Sequence, residues 1–361
     1  MLIFTNRQLV TATDETAFSD VFKPFLDTLN CAEVERTPNG SGWKVSQPAS
    51  GLSDEAALKK IEVVLGGDKP VLVYLHGNNT VPAKCFLRCH QLEAQYGVAV
   101  IGYSWASEGM LPDGTDQSGM DTSKPETDAD EEALVAIQSR EDLKQGWLAR
   151  KARRFHQAKV NAQYSKDSLA RLLRLVAAAR LGKLQQKVSF AAHSLGCHFL
   201  QHTVNEQDAE ASLSAMHNVI LMAGCTEAAK HTAWVGQIHP LLKVYITYTK
   251  ADAVLFSASV VDSHLKLGTA WGDERLTGPK YRYIDFENAK KMNLHAHRYF
   301  VADGNKTLST ESRLLFKRIF TSLPDFDPAT ESPKMVYPVG CLADGSVCYM
   351  GNAVSGTGSP D

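Results

Sequence analysis

Apolar and polar positions along this chain follow two rhythms. Uninterrupted apolar runs at Val71 to Leu75, Val98 to Tyr103, Val188 to Ala192, Val219 to Met222 and Val244 to Tyr248 have the pattern of parallel strands buried on both faces. Between them apolar residues recur at helical spacing, as at Leu169, Leu172, Leu173 and Val176 and over about 82–95. Ser53 predicts a helix N-cap, with Asp54 and Glu55 in the first turn and Gly66-Gly67 at the end. Ahead of it, 31–36 and 43–45 flank Pro38-Asn39-Gly40-Ser41-Gly42 and read as a hairpin. Strands alternating with helices predict an α/β fold, a mostly parallel central sheet with helices on both faces. No internal repeat is visible.

Two stretches break the alternation. From Glu108 to Glu132 there are nine acidic residues and one lysine among Gly, Pro, Ser and Thr. From Ala133 to Lys159 the chain turns basic and amphipathic, with Leu134, Ile137, Trp147, Leu148 and Phe155 as apolar anchors. Such an insertion between core strands is either a solvated excursion or a lid over a pocket. The second stretch is a tail rich in Pro, Gly and Ser. The expected organisation is one domain over 1–325, with an N-terminal extension (1–66), a lid-like insertion (107–155) and a tail (326–361). In the tail, Asp344-Gly345 predicts a two-residue hairpin turn that sets Cys341 opposite Cys348. A lone hairpin is marginal in water, so it is expected to dock on the domain.

Composition narrows the function classes. Of 361 residues, 44% are hydrophobic and 22% charged, which excludes wholesale disorder. The net charge of -2 leaves no basic face for nucleic acid. No apolar run approaches the ~20 residues of a membrane-spanning helix, so no stable membrane insertion is expected. The first residues, Met1 to Arg7, look like a strand and not a leader. Seven cysteines, mostly in apolar stretches, fit reduced thiols and a cytoplasmic location. That reading favours a reduced Cys341 and Cys348 over a disulfide. Cys85 and Cys89 share a helical face and read as core thiols. His198 and His202 lie four apart on one helix, but no His-Glu-x-x-His accompanies them, so no metal is expected. With no phosphate-loop signature either, no cofactor is expected.

The chemistry concentrates at Ala192-His193-Ser194-Leu195-Gly196, between a buried strand and a helix. This is the nucleophile-elbow pattern G-x-S-x-G with Ala at its first position. A serine on so sharp a turn needs small residues two positions away on each side. The helix start that follows offers free amides to an oxyanion. His76-Gly77-Asn78-Asn79 ends an earlier strand, where a second oxyanion amide is expected. Leu195 and Asn78 are therefore the candidate oxyanion donors. Asp252 follows the Val244 strand as the candidate acid; it also reads as a helix cap, and Asp262 stands in reserve. His297 and His295 both follow a late strand, Tyr281 to Phe286, and triad logic alone does not separate them.

From about Val71 to Ile319 the chain resembles the α/β-hydrolases. In detail it resembles little-characterised bacterial hydrolases catalogued as a domain of unknown function. The resemblance rests on the His-Gly strand end and on Tyr103-Ser104-Trp105-Ala106-Ser107. It rests also on Tyr164-Ser165-Lys166-Asp167, the His193–Gly196 elbow, Asp252 and His297-Arg298-Tyr299-Phe300. It favours His297 over His295, and Trp105 and His193 are the candidate substrate-binding residues. The implied activity is a serine esterase with Ser194, His297 and Asp252 as the triad and a small-molecule ester as substrate. A catalytically silent binding protein of the same fold is the alternative, with thioesters, lipids or amides as other substrates. Oligomeric state is not legible.

Overall fold

A computed structural model of the chain describes residues 1–118, 133–144, 146–206, 208–289, 294–302, 308–323, 339–341 and 346–350. The strands in chain order are β1 (Leu2–Thr5), β2 (Arg7–Leu9), β3 (Phe18–Phe22), β4 (Asn30–Arg36), β5 (Trp43–Ala49), β6 (Val71–Leu75) and β7 (Ala99–Ser104). They continue as β8 (Val188–His193), β9 (Asn218–Met222), β10 (Lys243–Tyr248), β11 (Tyr281–Asp285), β12 (Val339–Cys341) and β13 (Val347–Met350). Eleven of them form one sheet in the order β12-β13-β11-β10-β9-β8-β6-β7-β1-β4-β5. Pairing is parallel from β13 to β1 and antiparallel only at the two margins.

The helices are α1 (Asp54–Leu65), α2 (Pro82–Tyr96), α3 (Gly146–Tyr164), α4 (Lys166–Leu181), α5 (Leu195–Val204), α6 (Ala209–Ser214), α7 (His231–Val235), α8 (Ala253–Asp262) and α9 (Thr310–Phe320). Their ends follow local chemistry. Ser53 caps α1 by accepting the Ala56 N–H. Proline opens α2, where its missing N–H costs nothing, and Gly97 closes it at φ 70°. Every residue of β6, β8 and β9 is buried, as their unbroken apolar runs require of strands covered on both faces.

Strands near both ends of the chain join the sheet. β1 lies between β7 and β4, so the N-terminal stretch completes one half of the sheet. Its Arg7 is fully buried, bound to both oxygens of Glu108 and to Asp20 and the Trp105 carbonyl. At the other margin β12 and β13 pair with Cys341 opposite Cys348, and β13 extends the sheet in parallel beside β11. The docked hairpin expected from the sequence is present, although its turn, Asp344-Gly345, lies outside the described residues. The preference for a reduced pair is corrected: Cys348 is disulfide-bonded. The remaining cysteines, Cys31, Cys85, Cys89, Cys197 and Cys225, are free and buried.

The acidic part of the insertion, 119–132, also lies outside the described residues. Its basic half packs as expected at Leu134, Ile137, Leu148 and Phe155, all buried. Trp147 is the exception, 45% exposed with Lys151 above its ring. No helix among the described residues is long and apolar enough to cross a membrane.

Candidate active site

β8 ends at His193, and the chain turns at Ser194 directly into α5. Ser194 has φ 53° and ψ -120°, which L-residues rarely adopt. Strain of that kind costs about 1–3 kcal/mol and persists only where neighbours over-determine it. Here they do. Ser194 N donates to Met222 O at 2.9 Å, and Ser194 O accepts from the amides of Cys197 and Cys225, both at 3.0 Å. A Cβ on Gly196 would stand 2.7 Å from His76 O and 2.8 Å from Leu75 O, so glycine is what lets α5 meet the end of β6. Ala192, by contrast, keeps its methyl wholly buried inside β8.

Strand order brings the second loop alongside. After β6 the chain adds β7 on one side, while the later β8 joins on the other. Loops leaving such a switch point diverge and open a crevice. Leu75 pairs with Ala192, and a Cβ on Gly77 would lie 2.8 Å from Ser194 Cβ. His76 Nε2 accepts the Trp105 N–H at 3.1 Å, so Nδ1 carries the proton and donates to Gly77 O at 3.0 Å. Burial pushes this imidazole down to about 3, so the ring is neutral. A planar trans peptide then points the Asn78 N–H away from the His76 ring. That amide has no partner among the described residues, and neither has the amide of Leu195 at the open start of α5.

Trp105 is wholly buried and does not line the cavity. Its indole donates to His76 O at 3.1 Å and stacks on the His76 ring. Ser107 accepts the Asn79 N–H on its carbonyl and the Thr80 N–H on its hydroxyl, both at 2.9 Å. The 103–107 motif thus braces the His76–Asn79 loop from behind. Arg7 pins the same motif, which nothing in the local sequence signals. Tyr164 packs edge-on against Phe25, and neither it nor Asp167 lines the cavity.

Asp252 lies at the start of α8, four residues past β10. Its Oδ1 accepts the Leu255 N–H at 2.9 Å and its Oδ2 accepts His297 Nδ1–H at 2.7 Å. Burial pushes its carboxyl up, against the pull of His297. Asp262, the reserve acid, is occupied by Lys266 and by Lys159 at 2.9 Å, which ties α3 to α8. His295 and Ala296 are both left-handed, with φ 65° and 52°. The next residues hold this strained loop. The Tyr299 hydroxyl meets Thr247 at 2.8 Å and Ala223 N at 3.2 Å, and Phe300 packs edge-on against His193. This anchoring sets His297, and not His295, on Asp252.

His193 Nε2 lies 3.2 Å from His297 O. A carbonyl only accepts, so the imidazole donates there. Burial, helped by His297, holds its pKa well below the ordinary histidine value. Ser194, His193, His297, Asn78 and Thr80 line one cavity with Cys225, Val254, Leu255, Ala258 and Arg298. Leu134 and Phe155 of the insertion complete its wall. Ser194 and His297 share this cavity without a hydrogen bond between them. The space open to water centres is about 20 Å³, room for a water or two. His198 and His202 bond each other, Nε2 to Nε2 at 3.2 Å. Among the described residues no group of three or more potential metal ligands gathers. The sequence reading did not single out Cys225 or Arg298 as lining residues; Cys225 follows a strand end and Arg298 adjoins His297, the signals that could have found them.

A comparison with curated proteins finds no match to this chain. A family model described as "Alpha/beta hydrolase of unknown function (DUF900)" matches residues 54–318 and so spans β6 to β11 and every residue of the site. The chain belongs to this family of α/β-hydrolases.

Proposed function

We propose that this protein is a serine hydrolase that cleaves carboxylic esters through an acyl-enzyme. The observation that carries this reading is the 2.7 Å hydrogen bond from His297 to Asp252, opening onto a cavity that holds Ser194 on a strained elbow. Ser194 attacks the carbonyl while His297 Nε2 takes its proton, which it later gives to the leaving alcohol. Asp252 accepts the hydrogen bond from His297 Nδ1, so that Nε2 is the nitrogen that acts as base. The amides of Asn78 and Leu195 receive the oxyanion, each worth about 3–4 kcal/mol where such donors have been removed. Water then attacks the acyl-enzyme, losing a proton to His297; the acyl–Oγ bond breaks, the acid leaves, and His297 returns that proton to Ser194 Oγ.

Leu134, Phe155, Val254, Leu255 and Ala258 give the acyl group an apolar wall. The small cavity, walled on one side by Leu134 and Phe155 of the insertion, favours a short acyl chain. Five free buried thiols support a cytoplasmic location, and the disulfide at Cys348 counts against it.

A fluorophosphonate probe and a graded series of p-nitrophenyl esters test the activity together. Ser194 is expected to be labelled, and Ser194→Ala is expected to lose labelling and turnover while still unfolding cooperatively. A folded wild-type protein that neither labels nor hydrolyses any ester would leave a silent binding protein as the reading.

A further inference from the structure

One ring nitrogen in the cavity wall carries a lone pair and has no partner. His193 lines the cavity immediately before Ser194 and is 7% exposed. Its Nε2–H is occupied by His297 O at 3.2 Å. A neutral imidazole that donates from Nε2 can only accept at Nδ1. Nδ1 has no partner among the described residues, and it is not one of the unpartnered side-chain atoms sealed from solvent. With the rest of the side chain covered, its opening is the cavity. A Cβ on Gly77 would stand 3.3 Å from His193 Nδ1 and 2.8 Å from Ser194 Cβ, so the lone pair and the nucleophile border the same glycine. Any side chain at 77 would fill that space. The imidazole packs against His297 and Phe300, with ring centroids 4.7 Å and 4.9 Å away, which fixes the acceptor before a ligand arrives.

Such a group selects by what a ligand lacks. A lone pair accepts an O–H and repels another acceptor. A substrate that closes the cavity without offering a donor leaves the nitrogen buried and unpaired, which costs more than the bond itself contributes. Sites of this kind reject an analogue lacking one hydroxyl far more strongly than an apolar pocket rejects one methylene. We propose that the site selects hydroxylated esters, whose hydroxyl lies close to the scissile bond and donates to His193 Nδ1. This rests on the serine-hydrolase reading above and names its substrate class. The donor chemistry is the same whether the acyl or the alcohol portion carries the hydroxyl, and the two arms of the test separate them.

Acid release in a pH-stat gives kcat/KM for two sets of esters. The acyl arm compares ethyl glycolate with ethyl methoxyacetate and ethyl fluoroacetate. The alcohol arm compares 2-hydroxyethyl acetate with 2-methoxyethyl acetate and 2-fluoroethyl acetate. Fluorine matches the hydroxyl in size and cannot donate, so it separates hydrogen bonding from steric fit. Each value is divided by that compound's own rate with hydroxide, which removes differences in intrinsic reactivity. In one arm or both, wild-type protein is expected to prefer the hydroxyl compound over its two analogues by about tenfold or more. In His193→Phe that preference is expected to fall close to one. His193→Gln, whose amide can donate to His297 O and still present an oxygen, is expected to keep part of it. Each ratio is taken within one preparation, so partial loss of folded protein cancels. Should His193→Phe not fold or not turn over, the wild-type comparison with the fluorinated esters decides. Equal normalised rates in both arms, or a hydroxyl preference that survives in His193→Phe, overturn this proposal alone when p-nitrophenyl esters are hydrolysed and Ser194 labels. Failure to label and to hydrolyse any ester overturns the hydrolase reading and this inference with it.

Discussion

The carboxylate of Asp252 joins His297 to helix α8, one oxygen on Nδ1 at 2.7 Å and the other on the Leu255 amide at 2.9 Å. The cap fixes the carboxylate, and the carboxylate fixes the imidazole. An aspartate that reads in sequence either as a cap or as a triad acid caps α8 with one oxygen and binds His297 with the other.

Asp252→Asn separates those roles. Asparagine caps a helix about as well as aspartate, so stability should change little. Its amide holds His297 in the wrong tautomer, and kcat should fall by about a thousandfold or more. Steady-state kinetics beside urea unfolding check this; a variant that loses activity only in step with its fold would make Asp252 a structural residue.

Leu134 stands in the cavity wall from the insertion side. Leu134→Ala removes apolar bulk there and should raise the relative rate for octanoyl over acetyl p-nitrophenyl esters by about tenfold, within what a few methylenes are worth in a pocket. An unaltered ratio would mean that the insertion does not set acyl length.

The buried histidines set an acid limit on stability. His76 drops from an ordinary 6.5 to about 3 because burial penalises its charged form. The unfolded chain therefore binds a proton near pH 6.5 that the folded chain refuses. Stability should be full above that pH and decline between about 6.5 and 3, by up to ~1.4 kcal/mol per pH unit for each such group. His193 and His198, pushed down mainly by burial, add to the slope with the same sign. Urea midpoints from pH 7 to pH 4 test this, and His76→Gln should show the shallower decline even if it starts lower. Equal slopes would mean that His76 is charged in the folded protein.

Denatured without reductant, the protein should show five reactive thiols out of seven cysteines, and all seven after reduction. Seven before reduction would exclude the disulfide at Cys348 and leave the hairpin held by its strand pairing and by β11 alone.

Much of this was legible because it is written locally. Five neighbouring apolar residues make β6, Ser53 followed by two acids starts α1, and a serine with small residues two positions away marks the elbow. The hairpin register of Cys341 and Cys348 followed from counting outward from one dipeptide. Each of these signals spans a few residues, within reach of steric and hydrogen-bonding rules that act along the chain.

The rest depended on packing between distant segments. His295 and His297 are equivalent by spacing, and the resemblance favours His297; the physical reason lies in Tyr299 and Phe300 docking on Ala223, Thr247 and His193. Trp105 looks like a pocket aromatic in sequence, yet it is folded behind the loop it braces. Trp147 and Phe155 are both aromatic residues of one helix, and only the fold turns one into the cavity and the other to solvent. Arg7 acquires its meaning from a partner 101 residues away. Hydrophobicity along the chain says that a side chain will be buried, but not against what. The sequence by itself determined the core strands and the elbow, whereas the tertiary structure decided which groups Asp252 holds and which residues wall the cavity.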